Sequence, residues 1–440
     1  MEKPCWEFEV VHPRSLAADP HEAEFFHGEE GSDIEHTDPL IREALQNSLD
    51  ARNPNSALQR VEVRIAVHRG ADAVAIDQAS PWVEGLLPHL VELGAPVCAG
   101  GDWPARVGFL VVEDFGTYGL QGDVHRCSDP EPGQREDFYW FWRNVGRSGK
   151  TDDQRGRWGL GKTVFQASSQ ANSILGLTVR ANDALSLLMG QCVTKVHQLQ
   201  DSRAGTTKRY VPHGFFARPA GSEGVTAEDP QLPASDPSLL GAFRETFCLG
   251  RGDDPGLSIV SLFPIDEIQP DGLIQSAISH FFLPIMRGDL VVRVCSGKSS
   301  EVVIDAMSIE GLSAGVRWDS KRGRQNTAPP FSLVRRLLQR KPEFDLNMRQ
   351  DGKAPELTFD SFQPEVLEAL RQRYLDGEPI SIRFLMDVIH KERGAKETWF
   401  DVYLEYDSNL QRGEDHYVRG GMKIGGIDGM RRSPPWRGLL

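Results

Sequence analysis

Two periods of apolar and polar alternation run along this chain, and the switches between them mark its elements. Residues 38–52 place Ile41, Leu45 and Leu49 at every fourth position, a stripe that predicts an amphipathic helix. Directly afterwards Val61, Val63, Ile65 and Val67 alternate with Arg60, Glu62, Arg64 and His68, the period-two pattern of a half-buried strand. VGFLVVEDFG reads as a strand apolar on both faces that ends in a turn, and SILGLTVR, LSLLMGQCVTKV and TKRYV predict further strands. A short helix is expected at 162–169. Residues 212–255, rich in Pro, Gly, Ser and Asp, are expected to form an insertion or surface excursion. GLSIVSLFP predicts a buried strand and GLIQSAISHFFLPIMRG a helix. Strands return at LVVRV and EVVIDAM, then a helix at FSLVRRLLQR, then strands at PISIRFLMDVI and WFDVYLEY. Helices and strands mix without strict βαβ order, so the expected class is an α+β layered sandwich. A boundary near residue 287 would separate a domain of 1–287 from a C-terminal α/β domain of 288–440.

Composition narrows this picture. The chain has 440 residues, 39% hydrophobic and 25% charged, enough for a sizeable core and too apolar for wholesale disorder. Forty-nine basic against 63 acidic side chains leave a net charge of −14, so any contact with a polyanion needs a local basic patch. Six scattered cysteines form no CxxC pair, and the histidines form no metal-spaced pair, which argues against a zinc module or a disulfide scaffold. The acidic N-terminus lacks the apolar core of a signal peptide, and no run approaches ~18 apolar residues. A soluble cytoplasmic protein with no membrane partner is expected.

Four features with chemical content follow in order. Glu43, Asn47 and Asp50, spaced four and three, share one helix face opposite the apolar stripe. A carboxylate and an amide stacked this way suit a metal–triphosphate site: the amide oxygen can ligate Mg²⁺ and the carboxylate can take a proton from water. The competing interpretation is a solvated helix face. Val112-Glu113-Asp114-Phe115-Gly116-Thr117-Tyr118-Gly119 ends a buried strand, where an acceptor carboxylate can receive an exocyclic amino group and glycines allow close backbone approach. Gly156-Arg157-Trp158-Gly159-Leu160-Gly161-Lys162-Thr163 precedes a helix, where free N–H groups and the dipole favour phosphate. Residues 143–162 hold six basic side chains, Lys150 among them, against two acidic ones. The same stretch matches GxxxxGK[ST], but SGKTDDQR before Gly156 is no buried strand, which counts against a P-loop NTPase. The fourth is Gly256-Leu257-Ser258, a glycine and a hydroxyl entering a strand.

Together these residues resemble the GHKL ATPases: gyrase, the ninety-kilodalton heat-shock chaperone, histidine kinases and the mismatch-repair ATPases. REALQNSLDA resembles the first family motif, EDFGTYG the DxGxG motif and GRWGLGK the GxxGxG motif, over roughly residues 25–285. The resemblance implies a Bergerat-type sandwich, a mixed sheet with helices on one face, followed by a transducer-like second domain. It implies ATP and Mg²⁺ as cofactors, Glu43 as general base, Asn47 as metal ligand and Asp114 as adenine reader. Gly116, Gly119, Gly159 and Gly161 would shape the pocket, and residues about 143–161 would form a mobile lid. Ser258 or Thr206 would supply the last-motif hydroxyl, and Lys321, Lys341 or Lys353 a transducer lysine. The motif departs from the family in the extra Tyr118 and in Leu257 after Gly256. ATP-driven lid closure and homodimerisation would then serve an unidentified protein partner, and stand-alone members of similar layout occur in bacterial genome defence and DNA processing. The alternative is a nucleotide-sensing interaction module without turnover. A basic run at 317–341 is expected as a solvated face, with nucleic-acid contact or contact with the ATP of the same or a partner subunit as the other options.

Overall fold

The structure, a computed structural model, describes residues 3–20, 36–131, 133–144, 163–201, 205–226, 228–297, 301–318, 328–338, 342–349, 357–390, 394–410, 413–424 and 436–440. The chain divides into two compact units, residues 1–277 with 288–305, and residues 278–287 with 306–440. The first is built on a ten-stranded mixed sheet. Its strands are β1 (Cys5–Val10), β2 (Val61–His68), β3 (Phe109–Phe115), β4 (Ser173–Val179), β5 (Ser186–Val193), β6 (His197–Asp201), β7 (Thr206–Ala217), β8 (Gly256–Leu262), β9 (Leu290–Ser296) and β10 (Val302–Ile304). The order across the sheet is β1-β7-β5-β4-β8-β3-β2-β9-β10, with β6 also paired to β7. Every neighbour is antiparallel except β2 and β9, which run parallel from Leu290 opposite Val61 to Ser296 opposite Val67.

Two expectations change here. LVVRV, placed by its sequence after the boundary near 287, pairs along β2 and so completes the first sheet. Residues 212–255 hold the end of β7 and helix α6 (Pro237–Thr246), whose Phe243 is fully buried, instead of a surface excursion. Asp236 caps that helix by accepting from the Leu239 N–H at 2.9 Å, and Pro237 opens it.

Strands β3, β4 and β8 are buried along almost their whole length on both faces, so both faces need cover. Helix α1 (Thr37–Asp50) lies on one face: its Ser48 hydroxyl reaches Asp114, which sits opposite Val63 of β2. On the other face α2 (Ile76–Val83) and α6 bury Trp82, Leu240 and Phe243 with Phe247 against Ala66, Phe109, Val111, Val260 and Leu262. Helices therefore cover both faces, where the resemblance implied one. Burial of Leu40, Ile41, Ala44, Leu45 and Ser48 shows the inward stripe of α1, with Leu49 at its edge. Short helices α3 (Leu87–Glu92), α4 (Asp137–Trp142) and α5 (Thr163–Ala167) complete the cover, and Phe138, Tyr139 and Trp142 of α4 are core residues.

The second unit has a five-stranded sheet in the order Phe344–Asn347, Ile380–His390, Gly394–Tyr406, Trp436–Leu439, Glu414–His416. Helix Pro364–Leu375 packs Leu370 and Val366 on Ile380, Ile382 and Phe384. Helix α7 (Pro270–Arg287) breaks its helical backbone at Phe281, three residues before Pro284, whose ring and missing N–H disturb the preceding turn. No helix among the described residues is long and apolar enough to cross a membrane.

A histidine pair ties the β1 end of the first sheet together. His89 Nδ1 lies 2.7 Å from His197 Nε2, and His197 Nδ1 lies 2.8 Å from the Lys195 carbonyl oxygen. The carbonyl can only accept, so neutral His197 accepts at Nε2 and His89 donates. His89 also stacks on Phe8, ring centroids 4.0 Å apart. Burial, reinforced by His197, pushes the His89 pKa down to about 4 from 6.5. A folded value below the unfolded one means the unfolded chain binds the extra proton between these limits, so stability is complete above pH 6.5 and falls toward pH 4. The melting temperature is expected to drop between pH 7.5 and 5, and to drop less in His89→Gln; an equal drop in both removes His89 as a source.

Candidate functional site

The site grows from the point where β3 and β8 part. Their ladder runs from Phe109 opposite Leu262 to Glu113 opposite Ser258. Beyond it, side chains replace backbone pairing. Asp114 Oδ1 accepts from the Leu257 N–H at 2.8 Å and from the Thr117 hydroxyl at 2.6 Å. Its Oδ2 lies 3.3 Å from the Ser48 hydroxyl of α1, whose single proton is shared between this carboxylate and the Ala44 carbonyl oxygen at 2.9 Å. The Asp114 side chain keeps 12% of its surface exposed, so the carboxylate is anchored yet reachable.

Two glycines shape the turn that follows. Gly116 at φ 76° and Gly119 at φ 69° occupy the left-handed region, and a Cβ would overlap the carbonyl oxygens of Arg60 and Val179 respectively. The extra residue between them is accommodated: Tyr118 donates its N–H to Ala51 O at 3.1 Å, and the Arg135 guanidinium lies 3.8 Å over its ring. The turn is thereby sewn to the end of α1.

On α1, Glu43, Asn47 and Asp50 are half-buried while the opposite side is sealed in the core. Gln46 Nε2 donates to Asp50 Oδ1 at 2.8 Å. Glu43 and Asn47 offer hard oxygen donors, chemistry that suits Mg²⁺, and the glycine turn offers close backbone. Asp114 and α1 are thus brought together, through Ser48.

Ser258 is placed elsewhere. It pairs with Glu113, not Asp114, and so lies on the opposite sheet face. Its buried hydroxyl accepts from Arg251 Nε at 2.7 Å and donates to Glu113 Oε1 at 2.9 Å. Thr206, the other candidate, is exposed at the start of β7, separated from β3 by β5, β4 and β8. A hydroxyl on the Asp114 side of the neighbouring strands, level with the end of the ladder, is Thr178, opposite Leu257, accepting from Leu120 N–H at 2.8 Å and donating to Gly256 O at 3.1 Å. Lys150, Gly156, Gly159, Gly161, Lys162, Lys321, Lys341 and Lys353 lie outside the described residues. Of the basic run, Arg335 pairs with Glu310 and Arg336 with Glu405.

Ser48, Thr117, Thr178 and Arg251 were not singled out from the sequence. Thr117, three residues after Asp114, fits the local side-chain turn that an Asp–x–x–Thr spacing allows. Thr178 and Arg251 leave no such signal, one in a strand buried on both faces and one in a loop.

No protein-family model matches the chain, and no curated protein matches it. Among solved structures it is similar to the ATPase region of Saccharomyces cerevisiae topoisomerase II bound to ICRF-187 (dexrazoxane), at 13% identity and a TM-score of 0.29, over 62% of this chain and 51% of that one. A second structure of that ATPase region is similar at 12% identity and TM-score 0.29, over 72% of this chain and 62% of the other. The chain thus spans between half and two thirds of the length of these solved regions.

Gly256 is the most constrained glycine of the site. At φ 144° a Cβ would overlap Asp114 O and crowd Arg251 Nη1 and Asp114 Oδ1. Gly256→Ala is expected to cost at least ~2 kcal/mol through strain and overlap. Gly252→Ala, with open space around it, should stay within about 0.5 kcal/mol. Denaturant titration checks both, and equal stability of the two variants would contradict the packing described.

Proposed function

We propose that this chain is an ATP-binding protein of GHKL type that hydrolyses ATP with Mg²⁺ and couples nucleotide state to closure of residues 143–161 and to dimerisation. The environment of Asp114 carries this reading. An ionised carboxylate only accepts, and here two donors hold Oδ1 while Oδ2 meets one hydroxyl at 3.3 Å. Oδ2 therefore keeps capacity for one further N–H. The exocyclic amino group of adenine supplies such a donor; guanine presents a carbonyl oxygen at that position and would be repelled. The order of motifs, with Glu43 and Asn47 before Asp114 and the glycine-rich basic stretch after it, supports the same assignment.

Asn47 is the residue that would hold Mg²⁺, which when bound neutralises charge on the phosphates. Glu43, one helical turn earlier, would take a proton from the attacking water as its oxygen bonds to the terminal phosphorus and ADP leaves. Gly116 and Gly119 let the backbone approach the base, and Ser48 fixes the carboxylate from the helix side. The lid part of the proposal rests on the sequence of 143–161 alone: glycines that rearrange cheaply and basic side chains that gain when phosphates arrive.

Asp114→Asn should weaken ATP binding by ~1.5–3 kcal/mol, one to two decades in Kd, because a charged acceptor becomes an amide. Calorimetry giving equal affinity for both proteins would remove the base assignment. Glu43→Ala is expected to bind ATP normally and to hydrolyse it ~10²–10⁴-fold more slowly. A rate equal to wild type in a phosphate-release assay would leave a nucleotide sensor, or place the base elsewhere.

A further inference from the structure

Behind Asp114, on the other face of the sheet, sits a buried cluster of charge. The Arg251 side chain is fully enclosed, with its guanidinium 4.6 Å over the Phe115 ring. Its Nε donates to Ser258 Oγ at 2.7 Å and its Nη1 to Asp254 O at 2.9 Å. Its Nη2 donates to Leu257 O at 3.0 Å and to the Asp114 carbonyl oxygen. Glu113, also fully buried, offsets this charge together with Asp114 and accepts from Arg64 at 2.9 Å, from the Gly250 N–H at 2.8 Å and from the Ser258 hydroxyl at 2.9 Å.

A buried guanidinium is costly to desolvate, and its burial pushes the Arg251 pKa below the ordinary arginine range. What it holds explains its location. The β3–β8 ladder ends at Glu113 and Ser258. The next residues on each strand, Asp114 and Leu257, are joined by the Asp114 carboxylate on one side and by Arg251 Nη2 on the other. One nitrogen thus grips the carbonyls of the two residues whose relative placement aims Oδ1 at the Leu257 N–H and leaves Oδ2 toward α1. The planar fork is suited to this: it spreads four donors over Ser258, Asp254, Leu257 and Asp114 at once, which a single ammonium cannot do.

We infer that Arg251 is the positioning residue of the base pocket, setting the orientation of Asp114 through the backbone of Asp114 and Leu257 and through the ion pair of its Nη2 with Asp114 Oδ1, 3.9 Å away, without touching the ligand. The inference rests on Asp114 as the acceptor of the adenine amino group. It makes Arg251 a determinant of base selectivity, and Ser258 its support, in place of the direct nucleotide contact expected from the sequence.

The test compares ATP with purine riboside triphosphate, which lacks the 6-amino group. Wild type should prefer ATP by roughly 10- to 100-fold, the value of one hydrogen bond to a charged acceptor. Asp114→Asn should bring the ratio close to one. Arg251→Lys should lower it to within about threefold of one, with the affinity for purine riboside triphosphate little changed. Ser258→Ala, which removes the Nε partner and one of the donors to Glu113 while leaving both Nη contacts, should lower the ratio to an intermediate value, and it carries the test if Arg251→Lys fails to fold. A merely structural arginine would weaken both ligands alike. A wild-type ratio in either folded variant, with the ratio lost in Asp114→Asn, overturns the role of Arg251 and leaves the base pocket standing. Equal binding of both ligands by wild type overturns the base assignment and, with it, this inference.

Discussion

The carboxylate of Asp114 must be held at the end of a buried strand, and the surrounding architecture follows from that constraint. An anion there needs donors from every side, since burying it unpaired would cost several kcal/mol. The donors come from three directions: a strand N–H (Leu257), a turn hydroxyl (Thr117) and a helix hydroxyl (Ser48). Each requires its element in place. Helix α1 must dock on that sheet face, the turn must pass through two left-handed glycines, and β8 must end its ladder one residue short of Asp114.

The opposite face meets the same demand with fixed charge. Glu113 and Arg251 are both enclosed, and each is saturated by the other's neighbourhood, so neither can be removed singly without leaving a buried orphan. The apolar core of Trp82, Phe109, Phe243 and Phe247 lies on that side, whereas the half-buried polar edge of α1 lies on the Asp114 side. One strand end thereby separates an apolar face sealed over buried charge from a half-buried polar one.

Much of this was legible in the sequence. The stripe on α1 and the alternation in β2 identify their elements because each has one solvated side. The motif around Asp114 is local in the chain and survives folding as a local unit. The face of Ser258 was not legible, because GLSIVSL is buried on both sides and shows no alternation. Nor was the destination of LVVRV: a parallel partner is reached by a crossover, and only pairing with β2 places that strand in the first sheet. Arg251 stands in an irregular loop, where spacing carries no register, and its role depends on a fold that brings residues 114, 251 and 257 to one point.

The most direct measurement is a crystal structure of the full chain with a non-hydrolysable ATP analogue and Mg²⁺. The account predicts the base between α1 and the 116–119 turn, its 6-amino group donating to Asp114 Oδ2, with the triphosphate running toward Asn47. A nucleotide bound away from Asp114, or one whose 6-amino group meets no carboxylate, would contradict it.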